Sequence, residues 1–260
     1  MKNIYKLVLC AVALCATISV QAAKGAGRYT SQDATTVAQF HSVIVTGDIE
    51  VAFVQQPTYT VQISGPQNLL DDTTARVQNG VLEITFTPKF FWKDADHLRV
   101  VVSAPTIDKI TVLGKADLHV RGALKLENLH LSLTQEGDFS ADALTVHTLN
   151  IHAAGRSEVD INRLDAQQVT VMAENQADVD LSGLALQARL ENRGSGDIDA
   201  DELRVQKAEA VVNGRGDIEI SAYESLTAAV WGRGRIKYKG APVHIQRDGT
   251  VKRIVQDFED

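Results

Sequence analysis

Cysteine is nearly absent from the sequence. The 260-residue chain has two cysteines, Cys10 and Cys15, and both fall within its first 22 residues. A protein built from residues 23–260 alone would have no disulfide, no thiol nucleophile and no thiolate ligand for a metal. Its fold must then be held by packing and hydrogen bonds.

Long hydrophobic runs are also lacking. The longest, Leu7–Val20, is 14 residues long, shorter than the ~20 residues that a membrane-spanning helix needs. Lys2 and Lys6 precede this run and a small-residue pattern ends at Ala22. These features predict a secretory signal peptide cleaved after Ala22, and hence export to the periplasm or the cell surface. We expect no transmembrane segment in the mature chain.

Proline, aromatic residues and positive charge are scarce. The chain has five prolines and 5% aromatic residues, and its formal net charge is −7. The acidic balance disfavours nucleic acid and anionic lipid as partners. Beyond residue 40 no segment shows the period of a long amphipathic helix, whereas alternating Val, Ile, Leu and Thr are frequent. This pattern predicts an all-β protein.

A repeat of about 20 residues runs through the C-terminal half of the chain. If Asp217 in VNGRGDIEI is taken as a reference, equivalent positions recur at steps of 21, 20, 20, 19, 20 and 18 residues. These reference positions are Asp117, Asp138, Glu158, Asp178, Asp197, Asp217 and Arg235. Each precedes an alternating segment typical of a strand with one buried face. Two short strands per repeat, with no helix between them, predict the coils of a parallel β-solenoid.

Leucine and glycine recur with the same period. The leucines are Leu124, Leu144, Leu164, Leu184 and Leu203, and the glycines before the reference positions are Gly137, Gly196, Gly216 and Gly234. Because parallel coils stack ~4.8 Å apart in register, we expect the leucines to form one buried column. We expect the glycines to supply a positive φ at the corner between strands.

Two motifs in the repeat invite a functional interpretation. Arg215-Gly216-Asp217 matches a tripeptide that cell-surface receptors bind, but its place in the repeat favours a structural turn. The outward carboxylates of Asp178, Asp180, Asp197 and Asp199 would repel one another on adjacent coils. Solvation of an exposed face is the favoured interpretation, and recruitment of a cation such as calcium is the alternative. We therefore assign no metal site and no cofactor.

Residues 37–112 have a different pattern. Asn79-Gly80 lies between two apolar runs, which predicts a β-hairpin, and the neighbouring segments predict further strands. We interpret this region as an antiparallel β cap that covers the end of the solenoid. The expected organisation is a signal peptide at 1–22, a flexible lead-in at 23–36, the N-terminal β cap at 37–112, solenoid coils at 113–240 and a C-terminal closure at 241–260.

The chain resembles a known family in the order of its segments. FHSVIVTGDIEV, VQNGVLEI and LRVVVSAPTIDKITVLGKADL are followed by GSGDIDA, GRGDIEI and GRGRIKYKG, and this order resembles the head GIN domain family of auto-transporter adhesin heads over residues 38–255. The resemblance implies one right-handed β-solenoid domain at 37–255, exported to the envelope of a Gram-negative bacterium. It brings no catalytic residues. The chain departs from the family pattern at Arg235, which replaces an acidic residue.

Two classes of function follow from these features. The first is a non-catalytic exported envelope or surface protein with an adhesive, ligand-binding or structural role, whose partner is an envelope glycan or an envelope protein. The alternative is a glycan-active enzyme, such as a polysaccharide lyase or hydrolase. We favour the first because coils of 18 to 21 residues leave no room for the long loops that build a catalytic cleft, and because no carboxylate pair stands apart from the repeat. We expect no catalytic residue.

One stretch breaks the repeat pattern. In PKFFWKDAD, Phe90, Phe91 and Trp92 stand consecutively between two expected strands. Strand alternation cannot bury three successive side chains on one face. We nominate these three residues as a candidate binding patch, because exposed aromatic residues are enriched at binding sites. The alternative is an apolar lid over the open end of the core.

Overall fold

The structure is a computed structural model that describes residues 29–31, 34–87 and 98–257. The expected signal peptide and the candidate patch at Phe90, Phe91 and Trp92 lie outside these residues. The protein is all-β: 73% of the described residues are in strands, which form about seven turns of a parallel β-solenoid, each of about 20 residues. This confirms the predicted fold class. No helix among the described residues is long and apolar enough to cross a membrane.

The strands of the N-terminal region are short. They are β1 (Tyr29–Ser31), β2 (Thr35–Thr36), β3 (Ser42–Gly47), β4 (Glu50–Gln55), β5 (Thr60–Pro66), β6 (Thr73–Gln78), β7 (Val81–Phe86), β8 (Arg99–Ala104) and β9 (Lys109–Gly114), with one helical turn, α1 (Gln67–Leu70), before β6.

The strands that follow are long and wind around the solenoid. They are β10 (Asp117–Gln135), β11 (Asp138–Gly155), β12 (Glu158–Asn175), β13 (Asp178–Asn192), β14 (Ile198–Val212) and β15 (Ile218–Val230). Three short strands close the chain: β16 (Ile236–Lys239), β17 (His244–Gly249) and, after a 3-10 turn at Val251–Arg253, β18 (Ile254–Gln256).

Strand directions in the N-terminal region are mixed. The hairpin predicted at Asn79-Gly80 is confirmed: β6 and β7 pair antiparallel, and both turn residues have positive φ. Strand β5 pairs antiparallel with β1, β2 and β8. However, β3 pairs in parallel with β7 and β9, and β4 pairs in parallel with β8 and β10. Alternation in a sequence indicates which face of a strand is buried, but it does not reveal the direction of the partner strand.

Each central coil contains three straight segments, where the repeat pattern predicts two strands. Between β11 and β12 the paired segments begin at Asp138, Leu144 and Thr148 and are separated by short corners. Strand β11 thus passes through three parallel ladders before the next coil begins. The segment missed by the sequence analysis is the short middle one, which starts at Leu144 and spans three residues.

The predicted register of the reference positions is confirmed. Asp117, Asp138, Glu158 and Asp178 are directly paired, and the pairs that follow place Asp197, Asp217 and Arg235 in the same column. The column also extends to Glu50 in β4 and Arg99 in β8, which the repeat did not reveal. We call this column of outward side chains the reference column. The residues next to it point inward and form a buried column: Leu118, Phe139, Val159, Val179, Ile198, Ile218 and Ile236.

The predicted leucine column is wrong at one position. Leu124, Leu144, Leu164 and Leu203 are buried, but the side chain of Leu184 is 53% exposed. The register shifts after Ile161, so that Leu164 pairs with Gly183 and Leu184 pairs with Asp165. A shift of one residue turns a side chain to the opposite face. Gly183 fits this position because a Cβ there would lie 2.1 Å from the carbonyl oxygen of Leu164.

The conformational role predicted for the corner glycines is also wrong. Positive φ angles occur three positions before the reference column, at Gln135, Gly155 and Asn175, and not at Gly216. Gly216 instead permits close stacking, since a Cβ there would lie 1.7 Å from the carbonyl oxygen of Gly196. The glycine column therefore lets neighbouring coils approach at the corner.

Candidate functional site

The aspartates of the reference column bind the backbone of the next coil. Asp178 Oδ1 accepts a hydrogen bond from the backbone N–H of Asp197 at 2.8 Å, and Asp197 Oδ1 accepts one from Asp217 at 2.7 Å. Asp217 Oδ1 likewise accepts one from Arg235 at 2.8 Å. Hydrogen bonds from N–H groups to carboxylates are stronger than neutral ones. This column therefore has a structural role beyond solvation, because it satisfies backbone donors at the corner.

The Arg-Gly-Asp tripeptide does not present a free aspartate. Asp217 Oδ2 accepts two hydrogen bonds from the guanidinium group of Arg235, at 3.0 and 2.7 Å. This contact also raises the pKa of Arg235. Since both oxygens of Asp217 are engaged within the solenoid, the interpretation of the tripeptide as a structural turn is supported. Arg215, by contrast, points outward and is exposed.

A second outward column, two residues along the same segment, is strongly acidic. It contains Asp160, Asp180, Asp199 and Glu219, which are paired in register. Burial raises the pKa of Asp180, and the neighbouring carboxylates of Asp199 and Asp160 raise it further. Burial is also the main cause of the raised pKa of Asp199.

Oxygen atoms of Asp199, Asp201 and Glu219 lie within 4.8 Å of one another, so these groups could in principle share a cation. Two of the three carboxylates are paired with lysines: Lys237 Nζ lies 2.5 Å from Glu219, and Lys239 Nζ lies 2.8 Å from Asp201. Of the four aspartates named from the sequence, Asp178 and Asp197 lie in the reference column, whereas Asp180 and Asp199 lie in the acidic column. Lysine ammonium groups thus offset part of the negative charge at the C-terminal end of the acidic column.

A concave surface lies at the corner that precedes the reference column. Two adjoining cavities, of about 690 and 490 Å³, share Asn175 and Ser195 as lining residues. We call the continuous feature the corner groove. Its floor is formed by corner glycines such as Gly155, Gly194 and Gly214. Its walls carry charged and amide side chains from successive coils: Lys115, Glu136, Arg156, Gln176, Arg193, Asn213, Arg215 and Arg233.

Most cations of the N-terminal half of this groove are paired. Glu136 lies 3.2 Å from Lys115 and also contacts Arg156. Arg193 donates to Glu191 at 2.7 Å and lies 3.4 Å from Glu174. The hydrogen bond from Arg193 lowers the pKa of Glu191. These pairs leave little net positive charge in this part of the groove.

The C-terminal end of the corner groove differs in charge. Arg215 and Arg233 line the smaller cavity, both are exposed, and neither has an acidic partner within residues 98–257. They stack on adjacent coils, since Arg233 N donates to the carbonyl of Gly214 at 2.7 Å. Trp231 begins the same corner and its side chain is 63% exposed. This end therefore combines two unpaired guanidinium groups with an exposed indole ring.

A second concavity has a different chemistry. It measures about 640 Å³ and is lined in part by Leu184, Leu186, Arg204 and Tyr223. The two leucines are 53% and 45% exposed. The guanidinium carbon of Arg204 lies 5.1 Å from the centre of the Tyr223 ring. The exposed leucines here are a consequence of the register shift at Gly183.

Four histidines of the first coils, which could in principle form a metal or base cluster, do not converge within the described residues. His119 contacts Ser140 at 2.9 Å and His152 contacts Glu174 at 3.3 Å, while His130 and His147 are exposed. Residues 98–257 also contain no long loop that could wall a cleft. The corner-groove residues Arg215 and Arg233, and Trp231 at the same corner, were missed as a site. The sequence feature that could have indicated this site is a tryptophan and two arginines next to corner glycines, in a chain that has only two tryptophans.

Comparison with known proteins agrees with this architecture. A family model described as "Putative auto-transporter adhesin, head GIN domain" matches residues 39–162 and 140–242. The chain belongs to this family. A crystal structure described as a "putative adhesin" from Bacteroides fragilis has 25% sequence identity and a TM-score of 0.66, covering 89% of this chain and 97% of that one. No curated protein matches the chain.

Two further solved structures share the fold. A "putative adhesin" from Parabacteroides merdae has 19% identity and a TM-score of 0.78, covering 91% of this chain and 99% of that one. A "putative lipid binding protein" from Parabacteroides distasonis has 18% identity and a TM-score of 0.78, covering 90% and 98%. At these identities the likeness concerns the fold of the solenoid.

Proposed function

We propose that this protein is a non-catalytic binding head, exported to the periplasm or cell surface of a Gram-negative bacterium, that attaches to an envelope glycan or envelope protein through the corner groove. Membership in a family of adhesin heads supports this function. The observation that carries it is the pair of exposed arginines, Arg215 and Arg233, that line one end of the groove, with the exposed Trp231 at the same corner of the chain. Tryptophan and arginine are the residues most enriched at binding hot spots.

The regular coils argue against the alternative of a glycan-active enzyme. Within residues 98–257 four carboxylates of the reference column, those of Asp138, Asp178, Asp197 and Asp217, are engaged by backbone N–H groups or by Arg235. A glycosidase needs two carboxyl groups facing each other across a substrate, one of them with a raised pKa. The raised pKa values of Asp180 and Asp199 belong to groups stacked side by side on one face.

Retention on isolated bacterial envelope fragments tests the binding function. We expect the purified protein to sediment with the fragments, and Arg215→Glu combined with Arg233→Glu to abolish this retention. Charge reversal at the opposite corner, by Arg121→Glu combined with Arg163→Glu, is the matched control and should have little effect. Equal retention of the two double variants would contradict binding through the groove. Shortening of envelope polysaccharide on incubation would contradict a non-catalytic role.

The nominated residues Phe90, Phe91 and Trp92 remain a second proposed contact. The same retention measurement with Trp92→Ala addresses them, and fluorescence quenching by acrylamide in a Trp231→Phe background reports the exposure of Trp92 alone. A binding patch requires strong quenching and weaker retention. Poor quenching together with a loss of about 3 kcal/mol or more in stability would instead indicate a buried lid.

Binding of an acyl chain is a second candidate function. The concavity beside Leu184, Leu186 and Tyr223 exposes apolar side chains, and one solved structure with the same fold is described as a putative lipid binding protein. Arg204, which lies over the Tyr223 ring, could contact an acidic headgroup. Titration with a fluorescent fatty acid tests this function, and Leu186→Glu should prevent binding if the concavity is the site.

A further inference from the structure

The unpaired arginines Arg215 and Arg233 differ from the other cations that line the corner groove. The formal net charge is −7, and the other arginines of the groove, Arg156 and Arg193, contact glutamates. Arg215 and Arg233 lack such partners within residues 98–257. Guanidinium groups on adjacent coils repel each other, so this arrangement costs stability unless another group neutralises them. A persistent local charge without an internal partner is the expected property of a binding surface.

We propose that the C-terminal end of the corner groove, lined by Arg215 and Arg233 and followed at the same corner by the exposed Trp231, binds the carboxylate groups of a linear acidic polysaccharide. This inference rests on the proposed function and specifies its ligand. The ligand class is a chain of uronic acid residues, in which each charged sugar carries a planar carboxylate and several hydroxyl groups.

The two guanidinium groups are the reason to expect carboxylates on the ligand. Arginine presents its N–H donors in a planar fork that matches the two oxygens of a carboxylate. Arg215 and Arg233 stand on successive coils, ~4.8 Å apart along the solenoid axis. Two carboxylates of one extended chain, or one carboxylate between both arginines, can be bound without movement of the backbone. The side chain of Arg253, which donates to the backbone carbonyl of Arg233, adds a third positive charge nearby.

The side chains near the two arginines are the reason to expect a sugar as the ligand. Trp231 is 63% exposed and offers a broad apolar surface on which the C–H face of a sugar ring can pack. Asn213 uses its amide N–H to contact Glu191 at 3.1 Å, and this leaves its amide oxygen as an acceptor for a hydroxyl group. Ser195 donates to the carbonyl of Asn175 at 3.1 Å, so its oxygen is likewise available as an acceptor.

The length of the groove is the reason to expect a polymer as the ligand. The two cavities join at Asn175 and Ser195 and follow the solenoid axis from Lys115 to Arg233. Six coil-to-coil steps of ~4.8 Å give a length of roughly 29 Å, which suits an extended oligosaccharide better than a compact small molecule. The far end is lined by the ion-paired side chains of Lys115, Glu136 and Arg156, which can contact neutral hydroxyl groups.

A nucleic acid is a less suitable polyanion. Its phosphates are densely spaced, and proteins that bind it usually present a broad basic surface. Here the reference column and the acidic column flank the groove on one side, with Asp197 and Asp199 on the coil next to Arg215. These carboxylates would repel the phosphates of a nucleic acid duplex, which carries one charge per ~1.7 Å of its axis, more strongly than a polyuronate with a single carboxylate on each sugar.

Binding of the purified protein to polygalacturonate, measured by isothermal titration calorimetry, tests the inference. Fully methyl-esterified polygalacturonate is the matched probe, because it has the same sugar chain without the charge. Alginate serves as a second polyuronate with different linkages. We expect binding to a polyuronate, and at least about ten-fold weaker binding to the ester, since loss of charge-assisted hydrogen bonds to two arginines has at least this effect.

Variants locate the site. Arg215→Gln combined with Arg233→Gln should weaken polyuronate binding by about ten-fold or more, and Trp231→Ala should weaken it for both charged probes. Arg121→Gln combined with Arg163→Gln removes the same charge elsewhere and should leave affinity unchanged. Unaltered melting temperatures of these exposed variants would show that the loss does not reflect unfolding.

Three outcomes would overturn the inference: no binding to either polyuronate, equal binding to the ester, or tighter binding to a single-stranded oligodeoxynucleotide than to polyuronate. Its failure can be separated from that of the proposed function. If envelope fragments still retain the wild-type protein through the groove while polyuronates do not bind, only the ligand assignment is wrong. If neither retention nor polyuronate binding occurs, both proposals are wrong.

Discussion

Asp217 shows how an outward residue can contribute to the stability of a solenoid. Strand alternation places it on the surface, yet its side chain accepts hydrogen bonds from both the backbone N–H and the guanidinium group of Arg235. Asp178 and Asp197 bind the next backbone N–H in the same way. Outward positions in this family of folds therefore cannot be treated as uniformly tolerant.

We predict that Asp217→Ala lowers the free energy of unfolding by about 1–2 kcal/mol, because it leaves a backbone donor and Arg235 without their acceptor. Asp217→Asn keeps an oxygen for the backbone N–H and should lose less. Asp165→Ala, at an outward position without a hydrogen bond in the described part of the chain, should change stability by less than about 0.5 kcal/mol. Urea denaturation measures all three, and equal midpoints for the two alanine variants would refute the role of the column.

The pKa of Asp180 leads to a prediction of pH dependence. Burial and nearby carboxylates raise this pKa, so the folded protein binds a proton more tightly than the unfolded chain does. At a pH low enough for Asp180 to be protonated in both the folded and the unfolded state, its raised pKa does not change the free energy of unfolding. As pH rises from the ordinary aspartate range through the raised pKa, the unfolded chain ionises first and stability falls; the cost is complete above the raised pKa.

We therefore predict that Asp180→Asn slightly stabilises the protein at pH 7, by no more than about 0.5 kcal/mol at this partly exposed position. The gain should disappear as pH falls below the aspartate range. Melting curves between pH 3 and pH 7 measure it, with Asp165→Asn as the control, because Asp165 lies outside the acidic column. A gain that is constant with pH would show that charge repulsion is not its cause.

At the scale of the element, the coil register determines which leucines are buried. Leu164 and Leu184 have equivalent places in the repeat, but the shift after Ile161 buries one and exposes the other. We predict that Leu164→Asp destabilises the protein by about 4 kcal/mol or more, because it buries an unpaired charge. Leu184→Asp should be nearly neutral, within about 0.5 kcal/mol.

Thermal denaturation of these two variants provides a direct comparison, because the chemical change is the same. Similar losses of stability in both would mean that Leu184 is buried and that the observed shift is wrong. Similar tolerance in both would contradict the position of the whole middle segment. Leu184→Asp also tests the acyl-chain concavity, since Leu184 lines that surface and its replacement leaves the core unchanged.

The same elements show why only part of the fold was predictable. The reference column was visible because the corner before it keeps the same length in successive coils, and a fixed corner preserves the period. The shift at Gly183 was hidden from the sequence. Leu184 still follows Leu164 by 20 residues, but the corner before it is one residue shorter, so that Leu184 pairs with Asp165 and its side chain turns outward. The parallel pairing of β3 and β4 was hidden because alternation does not specify strand direction.

The corner groove was harder to predict than the fold. Its side chains point to solvent and are free to vary, so Lys115, Glu136, Gln176 and Arg215 share a column without any common chemistry. The period of the sequence reflects the residues that the core must bury, and it gives no information about the chemistry of the exposed side chains. Whether a cation such as Arg193 is already paired also depends on glutamates from neighbouring coils, and this requires the three-dimensional register.

At the scale of the whole molecule, a solenoid must prevent its last coil from pairing with another chain. Strand β17 pairs with β15 along one edge, and its residues are exposed. Its central residue, Arg247, continues a column of inward apolar side chains: Leu131, Ile151, Val171, Leu190, Ala210 and Ala228. The Arg247 guanidinium contacts the Tyr238 hydroxyl and lies 5.6 Å from the centre of its ring.

An inward-pointing charge on an edge strand is a known way to prevent edge-to-edge association. We predict that Arg247→Leu removes this protection, because it extends the apolar column to an open edge that already exposes Ile245 and Val243. Light scattering after size-exclusion chromatography should then show a mass that rises with protein concentration, beyond any rise in the wild type. Arg121→Leu adds the same apolar side chain to a corner away from the edge and should leave the mass unchanged. If Arg247→Leu and Arg121→Leu behave alike, the end of the solenoid is protected by something other than the charge of Arg247.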